Sequence, residues 1–285
     1  MLTMEELLAR ELGLDVIGRL AGGERGALAV EAPDGAAVVL KVFSLDEEAG
    51  VANALEVAAR VRVRGVPVPD PYWMGTTSGC VYTLQRRCDG MVPAVFEDAH
   101  AAQMLDFWEA HRDAMPEGGD WPERVVHALV AGDVQLFAVH EPVLAAGGEA
   151  AVLLGEIIDV GSSADPSVLR RTDAMHRDWH HRNLLARGET VTAVIDWEAA
   201  RAGDARFDLV LLNYWCDVYV GTGVSREAHE RISSFTAAHV EPHARRVLAA
   251  LVALHQLWFV CAHRPERLDE TVTRARRELA PYWTS

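Results

Sequence analysis

The chain almost lacks lysine. Its 27 basic residues consist of one lysine, Lys41, and 27 minus 1, or 26, arginines. Lysine carries a compact charge on a flexible stem, whereas arginine carries a wide planar fork, so the two differ where one ammonium must fit between phosphate oxygens and a carboxylate. A composition rich in alanine and arginine lets generic lysines drift to arginine. The retention of Lys41 therefore indicates either chance or a site where arginine fails.

Excess positive charge and cysteine pairs are also absent. The chain has 27 basic and 42 acidic residues, a net charge of −15, which argues against a general nucleic-acid binder. This charge is compatible with a cationic ligand and equally with simple solubility. Four cysteines are far apart and show no metal-ligand spacing or disulfide framework; they are Cys80, Cys88, Cys216 and Cys261. They predict reduced thiols in a cytoplasmic protein.

Two kinds of hydrophobic segment are missing. The first residues, MLTMEELLARELGL, form an acidic amphipathic pattern without the basic and apolar regions of a signal peptide. The most apolar run, residues 247–262, contains His255 and Gln256 and is shorter than the roughly 20 residues that span a bilayer. We expect it to be a buried helix, and we expect no membrane partner.

The first third of the chain has the pattern of a small mixed lobe. Short apolar, β-branched runs lie on either side of the turn signals GGERG and PDG, which predicts three strands, with Lys41 on the third. A helix is predicted between Ser44 and Gly65, and a further strand in CVYTLQRRCDG. After Gly90 the pattern is mostly helical. The prediction is an α+β, two-lobed protein with a nucleotide-binding lobe at 1–87 and a catalytic and substrate-binding lobe at 88–285.

One segment of the second lobe interrupts the helical pattern and carries polar groups suited to phosphate chemistry. NLLA and TVTAVIDW flank the turn RGE, which predicts a hairpin that brings Asp178 and Asn183 beside Asp196. His176, Asp178 and Asn183 give H-x-D-x-x-x-x-N, and Asp196 follows 13 residues after Asn183. Two carboxylates and a carboxamide suit Mg²⁺ carrying a nucleotide phosphate, with an Asp to orient the attacking hydroxyl.

These motifs resemble those of the aminoglycoside phosphotransferase family. HRDWHHRNLL resembles HGDLHxGNvL, and the VIDW segment through GDARFDLVLL resembles that family's second motif. The resemblance implies a protein-kinase-like fold with Asp178 as the catalytic residue. It also implies that Asn183 and Asp196 bind Mg²⁺ and that Lys41 contacts the phosphates of ATP or GTP.

The resemblance implies further nucleotide contacts. Gly22 and Gly23 belong to the glycine-rich loop, and the hinge that holds the base falls at Arg86, Arg87 and Cys88. Glu56 is the predicted helix partner of Lys41, with Glu48 as the alternative. The absence of D-F-G and A-P-E points away from protein kinases. Arg177 replaces the small residue that is usual in antibiotic kinases.

Carboxylates of the second lobe are candidates for holding a cationic substrate. The candidates are Glu198, Asp204, Asp217, Glu227, Glu230 and Glu241. A second acidic run, residues 97–123, is either a solvated helix face or a wall of the substrate groove. The histidines of the motif admit a competing zinc hypothesis, since His176 and His180 are four residues apart and His181 follows, but no H-E-x-x-H is present. Trp197 and Phe207 are expected to be core residues.

The sequence thus predicts a cytoplasmic, Mg²⁺-dependent small-molecule kinase. The favoured hypothesis is transfer of the γ-phosphate of ATP or GTP to a hydroxyl of a cationic antibiotic, an aminoglycoside or a tuberactinomycin, which would give resistance. The alternatives are a metabolic kinase acting on a sugar, amino alcohol or choline-like hydroxyl, and a nucleotide-binding pseudokinase. The expected partners are a nucleoside triphosphate and a small molecule, with no nucleic acid.

Overall fold

The computed structural model describes residues 3–20, 26–70, 72–77 and 79–279. Gly22 and Gly23 lie outside these described residues. The fold is α+β, as predicted, with a sheet-containing N-terminal part and a mostly helical remainder. The N-terminal elements are α1 (Met4–Glu11), β1 (Asp15–Arg19), β2 (Leu28–Glu31), β3 (Ala37–Phe43), α2 (Glu48–Arg62), β4 (Tyr72–Thr76) and β5 (Val81–Arg86). The lobe boundary at residue 87 stays a prediction.

The N-terminal strands form one antiparallel sheet in the order β1-β2-β3-β5-β4. Lys41 lies on β3, the central strand, opposite Thr83 of β5. The strands around Lys41 were all predicted. β4 was not predicted, because the prolines before it obscure the strand pattern. An edge strand tolerates such neighbours because one of its sides needs no partner, and β4 is at the edge.

Helix α2 packs one face against the core. A short 3-10 turn capped by Ser44 and Glu47 leads into it. Its buried side chains are Val51, Ala54, Val57, Ala58 and Val61, which recur at helical spacing. Glu56 lies on the opposite, exposed face. The helix therefore directs its apolar residues inward and both of its glutamates, Glu48 and Glu56, toward solvent.

Helices dominate the larger part of the chain. They are α3 (Asp98–Glu109), α4 (Trp121–Ala131), α5 (His140–Ala146), α6 (Gly148–Ser163), α7 (Arg206–Tyr219), α8 (Arg226–His239), α9 (Pro242–His263) and α10 (Leu268–Leu279). Helix α9 is long and apolar enough by length and composition to cross a membrane, but 56% of its most apolar stretch is buried inside the protein. It contacts α4, α5, α6, α7 and α10, so it is the predicted buried helix.

Two small antiparallel pairs frame the polar motif. One joins β6 (Asp173–Met175) to β9 (Arg201–Gly203), and the other joins β7 (Leu184–Arg187) to β8 (Thr190–Val194). The second pair is the predicted hairpin, whereas the first was not predicted. β6 leads directly into His176, and β8 ends two residues before Asp196. The two strand pairs therefore bring the loop that begins at His176 close to Asp196.

Candidate active site

The loop that carries Asp178 is held by a buried carboxylate on α7. Asp208 accepts hydrogen bonds from the backbone N–H groups of His176 at 2.8 Å and Arg177 at 2.9 Å. Arg177 has a φ of 70°, in the left-handed region that costs an L-residue about 1–2 kcal/mol. The two hydrogen bonds therefore hold a strained turn in place immediately before Asp178.

His176 and Asn183 fix the surroundings of Asp178. The ring Nε2 of His176 lies 2.9 Å from the carbonyl oxygen of Ile195, and its Nδ1 accepts from the N–H of Asp178 at 3.2 Å. This pattern fits a neutral ring with its proton on Nε2, in agreement with the pKa of His176, which burial lowers. Asn183 donates through Nδ2 to the carbonyl oxygen and the carboxylate of Asp178, at 2.9 and 2.7 Å.

The carboxylate of Asp178 stays ionised. Burial raises its pKa, but His180 and then the hydrogen bond from Asn183 act in the opposite direction, and the net effect is a lowered pKa. His180 Nε2 lies 3.4 Å from Asp178 Oδ1. An ionised carboxylate in this position is able to orient an acceptor hydroxyl and take its proton.

Lys41 joins the small sheet to the end of the β7–β8 hairpin. Its Nζ forms ion pairs with Asp196 and with Glu198, the latter at 2.8 Å. Burial lowers the pKa of Lys41, but the charges of Glu198 and Asp196 outweigh burial and raise it. Asp196 has a φ of 71°, so the chain turns sharply where it meets the lysine. Lys41 is therefore a charged ammonium beside two carboxylates, close to the motif that contains Asp178.

The predicted pairing of Lys41 with a glutamate of α2 is not formed. Glu56 pairs with Arg60 at 2.7 Å on the exposed face of the helix. Glu48, the alternative, accepts a hydrogen bond from Thr76 at 3.0 Å. Glu198 takes this place instead, because it follows Asp196 by two residues at the point that Lys41 reaches. Glu198, which was predicted to hold a cationic substrate, therefore lies beside Lys41, whose contact with phosphate stays a prediction.

The predicted base-binding hinge lies against the β7–β8 hairpin. Arg86, Arg87 and Cys88 line a cavity of about 330 Å³ together with Asp89, Arg187 and Thr192. Gly90 has a φ of 106°, and a Cβ there would lie 2.6 Å from Thr192 Oγ1, so glycine permits this close approach. The cavity places the hinge residues together, and their contact with a nucleotide base stays a prediction.

The carboxylates predicted to hold a cationic substrate have mostly structural partners. Asp204 is fully buried and bonds Arg206, with Oδ2 at 2.6 Å from its guanidinium. Arg206 also pairs with Glu241. Asp217 pairs with Arg274 at 2.8 Å. These three acids stabilise the helical part. Glu227 and Glu230 lie exposed at the start of α8.

The acidic run at 97–123 is likewise paired with arginines at several positions. Asp98 contacts Arg231 at 2.5 Å, and Glu123 contacts Arg171 at 2.8 Å. Trp197 and Phe207 are buried, which confirms that they are core residues.

Two residues at the site, Asp208 and Trp215, had no role predicted from the sequence. Asp208 belongs to the DLVLL segment of the second motif. Its hydrogen bonds to the backbone of the loop before Asp178 depend on how α7 is oriented, which the sequence does not show. Trp215 and His180 lie near each other, with ring centroids 5.8 Å apart. The helical spacing from Asp208 to Trp215, seven residues, is the signal that places both on one face of α7.

The donor atoms around Asp196 fit a hard cation such as Mg²⁺. The charge of Lys41 opposes burial and lowers the pKa of Asp196, so its carboxylate is ionised. Asn183 uses its amide nitrogen toward Asp178, which leaves its amide oxygen as the atom to contact a cation. Among the described residues no group of three or more His, Cys, Asp or Glu side chains is arranged for a metal. Mg²⁺ commonly takes one or two protein carboxylates and completes its shell with phosphate and water.

A fold with a central lysine in a small sheet, joined to an H-x-D-x-x-x-x-N loop and a distal Asp, defines a kinase-like phosphotransferase. The profile of the phosphotransferase enzyme family, APH, matches residues 17–232. The chain belongs to this family and is an O-phosphotransferase, which confirms the resemblance found in the sequence. No curated protein sequence matches the chain.

Solved structures of similar fold include three antibiotic kinases. A thermostable variant of aminoglycoside phosphotransferase APH(4)-Ia in complex with ADP and hygromycin B has 18% identity and a TM-score of 0.69, with 100% of both chains covered. A GDP complex of aminoglycoside 2'-phosphotransferase IIIa has 17% identity and a TM-score of 0.65, covering 97% of this chain and 96% of its own. Amicoumacin kinase with AMP-PNP and Ca²⁺ has 13% identity and a TM-score of 0.60, covering 99% and 94%.

Proposed function

We propose that the protein transfers the γ-phosphoryl group of Mg-ATP or Mg-GTP to a hydroxyl of a small antibiotic molecule. The observation that carries this proposal is the convergence of Asp178, Asn183, Asp196 and Lys41, which come from two distant parts of the chain. The neighbours that contain ADP, GDP or AMP-PNP support a nucleotide donor. Cytoplasmic location and a role in resistance belong to the same proposal.

Each residue has a distinct role in this reaction. The acceptor oxygen forms a bond to the γ-phosphorus while the bond from phosphorus to the nucleoside diphosphate breaks, and Asp178 receives the hydroxyl proton. Lys41 holds negative phosphate oxygens by charge. Asp196 and Asn183 would hold Mg²⁺, which neutralises charge on the nucleotide when bound. Asp208 keeps the loop and therefore Asp178 at the reacting atoms.

A transfer assay tests the proposal. The purified protein is incubated with Mg²⁺, γ-labelled ATP or GTP, and a panel of hydroxyl-containing antibiotics, sugars and amino alcohols. We expect label to appear on an antibiotic only when Mg²⁺ is present, and the Asp178→Asn protein to give almost none. Label on a sugar or amino alcohol alone would support the metabolic-kinase alternative, and nucleotide binding without transfer to any compound would support a pseudokinase.

Resistance is tested in cells. Expression in a susceptible bacterium should raise the inhibitory concentration of the antibiotic that accepts phosphate in vitro, and Asp178→Asn expressed at the same level should not. Equal protection by both proteins would contradict a catalytic role in resistance.

A further inference from the structure

One face of α7 runs along the catalytic loop. Asp208 bonds the loop backbone, and Trp215 and Tyr219 follow it by seven and eleven residues, spacings that return to the same side of a helix. Asp217 lies about 200° around the helix from Trp215, since each residue turns the chain by about 100°. It accordingly bonds Arg274 of α10. Beyond Asp208, which is engaged by the loop backbone, this face of α7 therefore presents the rings of Trp215 and Tyr219 rather than a second carboxylate.

These rings form a continuous series that starts at the catalytic carboxylate. His180 lies 3.4 Å from Asp178, and its ring centroid is 5.8 Å from that of Trp215. Trp215 and Tyr219 stack at 5.9 Å with an interplanar angle of 25°. Trp215 and Tyr219 are half-buried, so they pack on the core and keep part of their surface outside it. An acceptor that reaches Asp178 with its hydroxyl has these ring faces within reach.

The charges near the rings are unfavourable for a cationic acceptor. Arg182, which follows His181 in the loop, is exposed at the surface. Arg177 carries a buried guanidinium 5.8 Å from the Phe137 ring. The positive charges of Arg177 and Arg182 offset the attraction of an ammonium to the ionised Asp178.

Acids predicted to hold a cationic substrate are bound elsewhere. Asp204 is paired with Arg206, Asp217 with Arg274, and Glu198 with Lys41. Three of the six predicted substrate carboxylates are therefore neutralised by basic partners, and the face of α7 toward the loop carries rings.

We propose that Trp215, supported by Tyr219, is the acceptor-binding surface of this enzyme, and that the acceptor is an uncharged hydroxyl compound with an aromatic or flat apolar face. This inference rests on the proposed phosphotransfer to a small molecule and names its acceptor class. The flat face stacks on Trp215 while the hydroxyl reaches Asp178. Stacking of a ring on tryptophan supplies both apolar burial and a preferred orientation. It replaces the expectation of a polycationic antibiotic held by carboxylates.

A binding experiment tests the inference without requiring turnover. Three probes share one ring and differ in charge: indole-3-ethanol is neutral, tryptamine is a cation and indole-3-acetate is an anion. Saturation-transfer NMR titrations compare their affinities for the wild-type protein, Trp215→Ala, Trp215→Phe and Trp73→Ala. Trp73, exposed on β4, is the matched control.

We expect indole-3-ethanol to bind the wild-type protein at least threefold more tightly than tryptamine. Affinity should fall about tenfold in Trp215→Ala and less than threefold in Trp215→Phe and Trp73→Ala. Tighter binding of tryptamine would show a cation site on the tryptophan face and overturn the uncharged class. Equal affinity in Trp215→Ala would overturn the stacking surface. If Trp215→Ala does not fold, Tyr219→Leu serves, with a smaller loss expected.

Kinetics with the acceptor found in the transfer assay give the second readout. In Trp215→Ala the acceptor KM should rise about tenfold, with kcat and the nucleotide KM within twofold of wild type. The acceptor KM should not change as salt rises from low to about 0.5 M, because an uncharged ligand gains no screened attraction. Ring binding without any phosphate transfer would refute the proposed function alone. Transfer with a salt-sensitive KM that is independent of Trp215 would refute the present inference alone.

Discussion

At the scale of single residues, the contacts of Asp178 are separate from those of Lys41. Its carboxylate bonds Asn183 and lies near His180, whereas the lysine expected at the phosphates pairs with Asp196 and Glu198. Proton handling and phosphate binding are thus assigned to separate groups. A substitution at Asp178 should affect turnover without affecting nucleotide binding.

The corresponding prediction is that Asp178→Asn lowers kcat by about 10²–10⁴-fold, the usual effect of losing a general base. The nucleotide dissociation constant, measured by calorimetry, should stay within about threefold. Asp70→Asn is the control, because Asp70 is exposed and pairs with Arg62 at the end of α2. Near-wild-type turnover of Asp178→Asn would mean that another group handles the proton.

The partner of Lys41 gives a second prediction. Glu198→Gln should raise the nucleotide KM about tenfold, because it removes one of two charges that hold the ammonium in place. Glu56→Gln should leave the nucleotide KM unchanged, since Glu56 pairs with Arg60 at the surface. Steady-state kinetics with varied Mg-nucleotide measure both. A raised nucleotide KM in Glu56→Gln, with no change in Glu198→Gln, would show that Lys41 pairs with the α2 glutamate during the reaction.

Lys41 itself gives a third prediction, which tests why one lysine persists among 26 arginines. The side chain is only 15% exposed and is enclosed by two carboxylates, so a planar guanidinium does not fit the same space. The kcat/KM of Lys41→Arg should be closer to that of Lys41→Ala than to that of the wild type. Wild-type activity of the arginine variant would favour chance retention.

The sequence was sufficient to predict that polar residues of one loop and its hairpin lie together. It was insufficient to predict ion pairs that depend on how separate elements are oriented. Asp178 and Asn183 are five residues apart, and the hairpin returns Asp196 beside them, so spacing alone brought them together. Whether Lys41 pairs with Glu56 or with Glu198 depends on the orientation of α2 and on the position of the Lys41 ammonium. Neither is encoded in a local pattern.

At the scale of elements, α7 connects the core to the catalytic loop through Asp208. Removing one acceptor oxygen in Asp208→Asn should lower the unfolding free energy by about 1.5–3 kcal/mol, the usual worth of hydrogen bonds to a charged group. A small displacement of the loop should lower kcat by as much as about 10²-fold. Urea unfolding and steady-state kinetics measure the two effects, and the nucleotide KM should change little.

Asp217→Asn is the matched control on the same helix. Asp217 bonds Arg274 on the opposite side of α7, so its loss should cost stability of at most about 1 kcal/mol. Its kcat and acceptor KM should equal those of wild type. A raised acceptor KM in Asp217→Asn would support the hypothesis of a substrate groove lined by carboxylates.

Element prediction failed where the strands are short or at an edge. β6 and β9 have three residues each and pair across 25 intervening residues, so they are too short for a periodic pattern to predict them. The hairpin of β7 and β8 was recognised because its turn and its alternating strands are adjacent. The face of α7 that holds Trp215 was hidden because apolar residues surround the helix on most sides.

At the scale of the whole molecule, histidines with a lowered pKa should make the fold sensitive to acid. Burial, and secondarily the charge of Arg177, lowers the pKa of His255 to about 4, below the value of about 6.5 in an unfolded chain. Between these values the unfolded chain binds more protons, so stability decreases as pH falls through that window and is unaffected above about pH 7. The full difference is on the order of 3 kcal/mol.

His255→Gln should therefore flatten the dependence of the unfolding free energy on pH between about 4 and 6.5. Urea unfolding at pH 7.5, 6 and 5 measures the slope in both proteins. His181 has a similarly lowered pKa of about 4 and remains in the variant, so part of the slope should persist. An identical slope in the two proteins would show that His255 is solvated or charged in the fold.

The ion pair between Lys41 and Asp196 joins positions 155 residues apart along the chain. Contacts of such large sequence separation form late in folding, because the loop they close must first lose its conformational entropy. Lys41 emerges from the ribosome long before its partner, so the small sheet is synthesised without the carboxylates that neutralise its buried ammonium. We expect catalytic competence to require the docking of the small sheet onto the hairpin, so a chain that has not made this contact should contain most of its secondary structure but show no activity.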